Sequence, residues 1–169
     1  MSIQDLPFGE PEKFNAVVEI PQGSQDKYEY DETLHTIKLD RVLYGSQRYP
    51  FNYGFIPETR AQDGDHADVV LLSTNPLFPG CVVAARPVGF MEMIDSGDID
   101  NKIIAVPAAD PRFDYIKDLA DIPPHLLKEM QNFFETYKLL QNKKVEIKGF
   151  ENKARALKEL EETRRAYQS

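Results

Sequence analysis

A chain of 169 residues is long enough for one domain with its own core, and 41% apolar with 28% charged residues is ordinary for a globular protein in water. A formal net charge of −8 argues against a nucleic-acid partner, because phosphate backbones select basic faces, yet it suits divalent cations. Cys81 is the single cysteine, which excludes an internal disulfide and CxxC-type zinc sites.

The opening "MSIQDLPFGEPEKF" has no basic start followed by an apolar run, and no stretch approaches the roughly 18 apolar residues of a membrane span. A cytoplasmic protein with no membrane partner is the expectation, organised as one domain over residues 1–169. Short strands are predicted at "FNAVVEI" (14–20), "KYEYD" (27–31) and "LHTIKLD" (34–40), separated by turn-forming "PQGSQD" and "DET". The pattern continues with "DVVLL" (68–72), "CVVAARPVGFMEMID" (81–95) and "KIIAVP" (102–107). Pro87 predicts a bend or bulge inside the long strand, and Cys81 is expected to be a buried strand thiol. Many short strands with frequent turns favour a small barrel or sandwich. After residue 120 the period changes. "IPPHLLKEMQNFFETYKLLQ" places Leu126, Met130, Phe133, Phe134, Tyr137 and Leu140 on one helical stripe, with Pro123 and Pro124 tolerated at the start. "KVEIKGF" (144–150) reads as a strand, and "ENKARALKELEETRRAYQS" as a second helix with Ala154, Leu157, Leu160 and Tyr167 on its inner face. The expected architecture is α+β, a β-barrel with two late helices packed outside.

Two acidic clusters stand out. "DGDHADV" carries Asp63, Asp65 and Asp68, and "DSGDID" carries Asp95, Asp98 and Asp100. Each could be a solvated turn. However, Asp68 opens a strand whose other residues are apolar, so its carboxylate sits near the core, where crowded like charges repel. A cation would relieve that repulsion. Carboxylate oxygens select magnesium, manganese or calcium. A calcium loop starting at Asp63 fails, with Asp68 at position 6 where glycine is needed and Thr74 at position 12 where glutamate is needed. Magnesium typically takes one or two carboxylates and shares the rest of its shell with a substrate phosphate.

Cations and hydroxyls accompany these acids along the chain: Lys27, Arg41, Arg48, Lys102 and Lys138, with Tyr49, Tyr53 and Tyr137. Lys27 and Glu29 share one face of a strand. There is no GxxxxGK[ST], GxGxxG or GxSxG, and the three histidines offer no triad. What remains is metal-assisted attack by water on a phosphoryl group.

"DGDHADV" resembles the signature of the family I soluble inorganic pyrophosphatases, Asp-x-Asp-Pro-x-Asp-hydrophobic. The resemblance extends, in order, through "VVEIPQGSQDKYEYD", "LDRVLYGSQRYPFNYGFIP", "RPVGFMEMIDSGDIDNKIIAVP", "FFETYKLL" and "VEIKGFENK". It implies hydrolysis of inorganic pyrophosphate with several Mg²⁺ ions (Mn²⁺ being possible) on a five-stranded OB-like barrel in a homohexamer. It further implies that Asp63, Asp68 and Asp100 hold the tightest metal, and that Asp95 with Asp100 holds ions arriving with substrate. Asp65 would take the proton from the attacking water. Lys27, Arg41, Tyr53, Lys102, Tyr137 and Lys138 would hold the phosphates. Glu19, Glu29 and Tyr49 match further polar residues of the site, Glu19 grouped with the metal ligands and Glu29 with the substrate-binding residues. In such a site the metals invert a field that would otherwise repel the substrate.

The chain departs from the family at His66, where proline is usual. Proline disfavours the α conformation for the residue before it, here Asp65. The expectation is that the change is tolerated because the flanking metals and strand fix the loop. The alternatives are a shifted pH optimum through a titratable neighbour, a weakened enzyme, or a metal-dependent phosphohydrolase acting on another phosphoanhydride.

Overall fold

In strand β2 (Lys13–Ile20), Phe14, Ala16, Val17, Val18 and Ile20 are all buried, because this strand is covered on both faces. The computed structural model describes residues 3–169. After β1 (Gly9–Glu10) and β2 come the hairpin β3 (Asp26–Asp31) and β4 (Thr36–Val42), then β5 (Asn52–Ile56), β6 (Ala67–Leu71), β7 (Val82–Asp95), β8 (Asp98–Ile99) and β9 (Lys102–Pro107). Helix α1 (Pro124–Thr136), strand β10 (Val145–Glu151) and helix α2 (Lys153–Gln168) complete the chain, with short 3₁₀ turns between.

The pairing order β2–β5–β6–β9–β7 returns to β2, so five strands close a barrel. β10 and β8 add to β7, β1 adds to β2, and β3–β4 forms a separate two-stranded sheet. The expected α+β barrel with two outer helices is therefore present. Only β6 and β9 run parallel within the ring. Their side chains split alternately between two core clusters: Val69, Leu71, Ile103 and Ala105 pack with Ala156 and Leu160 of α2, while Val70, Leu72, Ile104 and Val106 pack with Met130, Phe133 and Phe134 of α1. Burial on both faces explains why "DVVLL" and "KIIAVP" read as apolar runs rather than alternations. The register of β7 against β9 shifts between Pro87 and Gly89, as Pro87 predicts.

Three local expectations need correction. The first helix ends at Thr136 and the chain tightens into a 3₁₀ turn that stops at Asn142 (φ +56°), so Leu140 leaves the stripe and is 67% exposed, and Leu126 is 38% exposed. The inner face of α2 is Ala156, Leu160 and Thr163, not Ala154 or Tyr167. Arg155 and Arg164 lie over the rings of Phe90 and Phe8 at 4.2 and 5.4 Å, so guanidinium planes occupy positions that a hydrophobicity pattern assigns to solvent. Cys81 precedes β7 and is only half-buried.

Gly54 of β5 stands opposite Val18 of β2 in their antiparallel ladder. A β-carbon there would stand 1.9 Å from the Val17 carbonyl oxygen and 3.0 Å from the Val18 α-carbon. Both obstacles are backbone within the barrel wall and cannot rotate away. Gly54→Ala should therefore destabilise by ~3 kcal/mol or more through a forced backbone shift, read as a lower urea midpoint with an unchanged m-value.

Candidate active site

The parallel ladder places Asp68 directly opposite Lys102, and Asp100 lies two residues before Lys102. Lys102 Nζ consequently donates to Asp68 Oδ2 and to Asp100 Oδ1, each at 2.6 Å, while its own side chain is 2% exposed. Burial alone would make this ammonium easier to deprotonate. The two carboxylates overcome that and hold its pKa well above the ordinary value. Burial raises Asp68 against the pull of Lys102, whereas in Asp100 burial is outweighed by the charge and hydrogen bond of Lys102 together with Asp68 and Lys138, and the pKa falls. The two carboxylates, about equally exposed at 26% and 23%, differ in that Asp100 also feels Lys138, which adds to the pull of Lys102.

Around this triad opens a cavity of about 330 Å³. Asp63, Asp65, Asp68, Asp100 and Glu19 meet Lys27, Lys102 and Lys138 there, and Glu29, Tyr49, Tyr53 and Tyr137 also line it. Asp95 and Arg41 are not in the cavity wall. Asp95 ends β7, pairs with Lys138 Nζ and accepts from Ser96 Oγ at 3.0 Å, which ties it to the rim. Arg41 stands opposite Lys27 in the β3–β4 ladder, and its buried Nε makes no hydrogen bond among the described residues, although Asp40 Oδ2 lies 3.5 Å away. Lys27 bridges Glu29 and Asp40, the latter at 3.2 Å. Residues the sequence did not single out also line the cavity, Tyr28, Tyr30 and Glu32 from the β3–β4 hairpin and Phe55, as does Phe134, which the sequence placed only on the helical stripe. Their signal was the closeness in sequence of this hairpin to Lys27 and Glu29. Asp98 is exposed and outside the cavity.

The phenols are kept neutral. Burial, reinforced for Tyr53 by Asp68 and Asp100, holds Tyr49 and Tyr53 well above the ordinary phenol value, and Tyr137 is raised for the same first reason. They therefore remain hydroxyl donors at neutral pH. Glu19 is pushed up to about 8, chiefly by burial, against a 2.7 Å hydrogen bond from the Tyr30 N–H. A carboxylate so placed favours an added positive charge. Asp65, exposed at the cavity mouth, is raised by partial burial and then by Asp63. Burial lowers Lys138 against the pull of Asp95.

The donors that could hold a metal are all carboxylate oxygens, which suits a hard divalent cation. Among the described residues no three acidic, histidine or cysteine side chains already converge on one point. Lys102 supplies the positive charge that Asp68 and Asp100 share. The fit therefore rests on the donor chemistry and on the raised Glu19.

The loop before β6 is heavily tied. Gly64 N donates to Ala61 O at 3.0 Å, Ala61 N to Asp65 O at 2.7 Å, and Asp65 N to Asp63 Oδ1 at 3.0 Å. Gly64, at φ +93°, makes the left-handed turn this requires. Helix α2 holds the loop from behind: Arg60 N donates to Thr163 O at 2.9 Å, and Arg164 Nη1 reaches the Glu58 carbonyl at 3.1 Å and its carboxylate at 2.8 Å. His66 Nε2 lies 3.7 Å from Glu32 across the cavity edge.

Comparison with known proteins agrees with the geometry. The family model described as "Inorganic pyrophosphatase" matches residues 16–168. An inorganic pyrophosphatase of Nostoc sp. is 51% identical over 142 residues, 84% of each chain. The crystal structure of inorganic pyrophosphatase from Thermus thermophilus superposes with a TM-score of 0.97 at 46% identity over 100% of both chains. That of the Helicobacter pylori inorganic pyrophosphatase gives 0.94 at 44% identity over 98% of this chain and 99% of its own. The chain belongs to the inorganic pyrophosphatase family.

Proposed function

We propose that this cavity hydrolyses inorganic pyrophosphate to two orthophosphates with Asp65 as general base and Mg²⁺ as the metal, acting as one domain over residues 1–169. The observation that supports it best is the meeting, in one cavity, of seven acidic side chains with three lysines and five tyrosines. Such a set can take up cations and a small polyanion together. Its volume sits at the low end of the roughly 300–1,000 Å³ of small-molecule sites, which suits a compact substrate.

The family depends on metal. Asp63, Asp68 and Asp100 would hold the tightest Mg²⁺, with Asp95, Asp100 and Glu19 toward the ions that accompany substrate. Bound cations supply charge neutralisation and a more acidic water. Lys27, Lys102, Lys138 and Arg41 bind the phosphate oxygens, and Tyr53 and Tyr137 donate to them. Glu29 orients the Lys27 ammonium through their ion pair. Asp65 takes a proton from the water as its oxygen bonds to phosphorus, the bridging P–O bond breaks, and the lysines meet the charge gathering on the leaving phosphate. A cytoplasmic homohexamer is part of the same reading and rests on the resemblance.

Purified protein should release phosphate from pyrophosphate with Mg²⁺, lose at least ~100-fold in EDTA, and act far more slowly on ATP. Equal or faster turnover of ATP would replace this reading with a broader phosphoanhydride hydrolase. No release of phosphate from folded protein would remove it.

A further inference from the structure

The aspartate loop lacks the proline that its resemblance leads one to expect, yet it is not loose. The His66 ring is stacked on Phe55, with centroids 5.0 Å apart and planes 17° apart, and Tyr167 of α2 lies at 6.4 Å on a tilted plane. His66 Nδ1 is 3.0 Å from the Thr59 carbonyl oxygen. That oxygen can only accept, so Nδ1 carries the hydrogen and the tautomer is set. The next residue repeats the tie, because Ala67 N donates to Thr59 Oγ1 at 2.8 Å. Thr59 is 1% exposed and anchored by its own hydroxyl to Ile56 O at 2.6 Å. Asp65 is therefore covalently joined to a residue pinned to a buried threonine and stacked on the Phe55 ring, with Tyr167 also in contact.

We propose that His66 is a positioning residue for Asp65, replacing by ring contacts the restraint that a proline would impose through its own backbone. This rests on the reading of Asp65 as the general base. Loss of a restraint at the base lowers turnover more than substrate affinity, since a misplaced proton acceptor acts on the transition state and not on bound pyrophosphate. The His66 N–H donates to no group among the described residues, so a proline at this position breaks no backbone hydrogen bond.

The test compares wild type, His66→Ala and His66→Pro. His66→Ala should lower kcat by roughly 10- to 100-fold with little change in KM. Amide hydrogen exchange in EDTA, where turnover plays no part, should speed up at Asp65 and Ala67 by about 10-fold. His66→Pro should recover both kcat and slow exchange, which a role in simple packing would not. An alanine variant with wild-type kcat and wild-type exchange overturns the proposal, as does a proline variant as slow as the alanine one. If wild type itself releases no phosphate, the general-base reading fails instead, and the exchange comparison still decides whether His66 restrains the loop.

Discussion

Replacing Asp65 with asparagine should lower kcat by roughly 100- to 10,000-fold while leaving the folded protein as stable as wild type or more so. The two halves of this expectation have one cause. Asp65 is exposed at the cavity mouth, so asparagine fits without repacking. Its pKa is raised by partial burial and by the neighbouring Asp63, Glu29 and Glu32. A carboxyl whose folded pKa exceeds its unfolded value costs nothing below the unfolded value. Its cost appears as pH rises through the window between the two and is complete above the folded value. In EDTA, the melting temperatures of wild type and Asp65→Asn should coincide near pH 3, and the variant should melt at or above wild type at pH 7. The partial burial and like charges that raise the Asp65 carboxyl burden the metal-free fold, and if Asp65 is the proton acceptor, that burden is a local exchange of stability for activity. A variant that keeps wild-type kcat would remove Asp65 from the chemistry. A variant that melts well below wild type at pH 7 would mean that the carboxylate has a structural partner.

Much of this site was legible because its residues cluster in sequence. Residues 63–68 lie on one loop and strand end, and Asp100 and Lys102 share one short segment, so crowding alone marked them. What could not be read was how the clusters meet. The salt bridge from Lys102 to Asp68 spans 34 positions and depends on a parallel pairing of β6 with β9 in a particular register. Apolar runs carry no register information, because both faces of these strands are buried. The barrel was legible from strand spacing, but β5 was not, since "FNYGFI" owes its burial to Gly54 and to neighbours distant in sequence rather than to alternation. The inner face of α2 was misplaced for a third reason. The Arg155 and Arg164 guanidinium groups lie over the Phe90 and Phe8 rings, where a hydrophobic side chain could sit, and a polarity pattern counts them as solvent-facing. The role of His66 lies entirely in contacts with Phe55, Thr59 and Tyr167, none adjacent to it in sequence.

Lys102→Met should be the most destabilising change in the site. The substitution keeps most of the stem volume and removes the charge, so what it reveals is electrostatic. Asp68 and Asp100 would lose their shared ammonium, and breaking a buried ion pair by deleting one partner costs about 3–5 kcal/mol. Their side chains keep 26% and 23% of their exposure, so they can turn partly toward water, which places the loss near ~3 kcal/mol. Losing the 5.4 Å contact of Nζ with the Tyr53 ring adds a smaller amount. Urea unfolding in EDTA measures this directly. Mg²⁺ should then separate the two tasks of Lys102. Anything that binds only the folded state stabilises it in proportion to ln(1 + [L]/Kd), and two unneutralised carboxylates bind a cation more tightly than a pair already sharing a lysine. Added Mg²⁺ should therefore raise the melting temperature of the variant by more than that of wild type, recovering stability. If Lys102 also meets the phosphate, as proposed above, turnover should not recover with it, because that ammonium is gone whatever neutralises Asp68 and Asp100. Wild-type stability of Lys102→Met in EDTA would show that the carboxylates do not need Lys102. Full recovery of kcat by Mg²⁺ would show that Lys102 serves the fold and not the substrate.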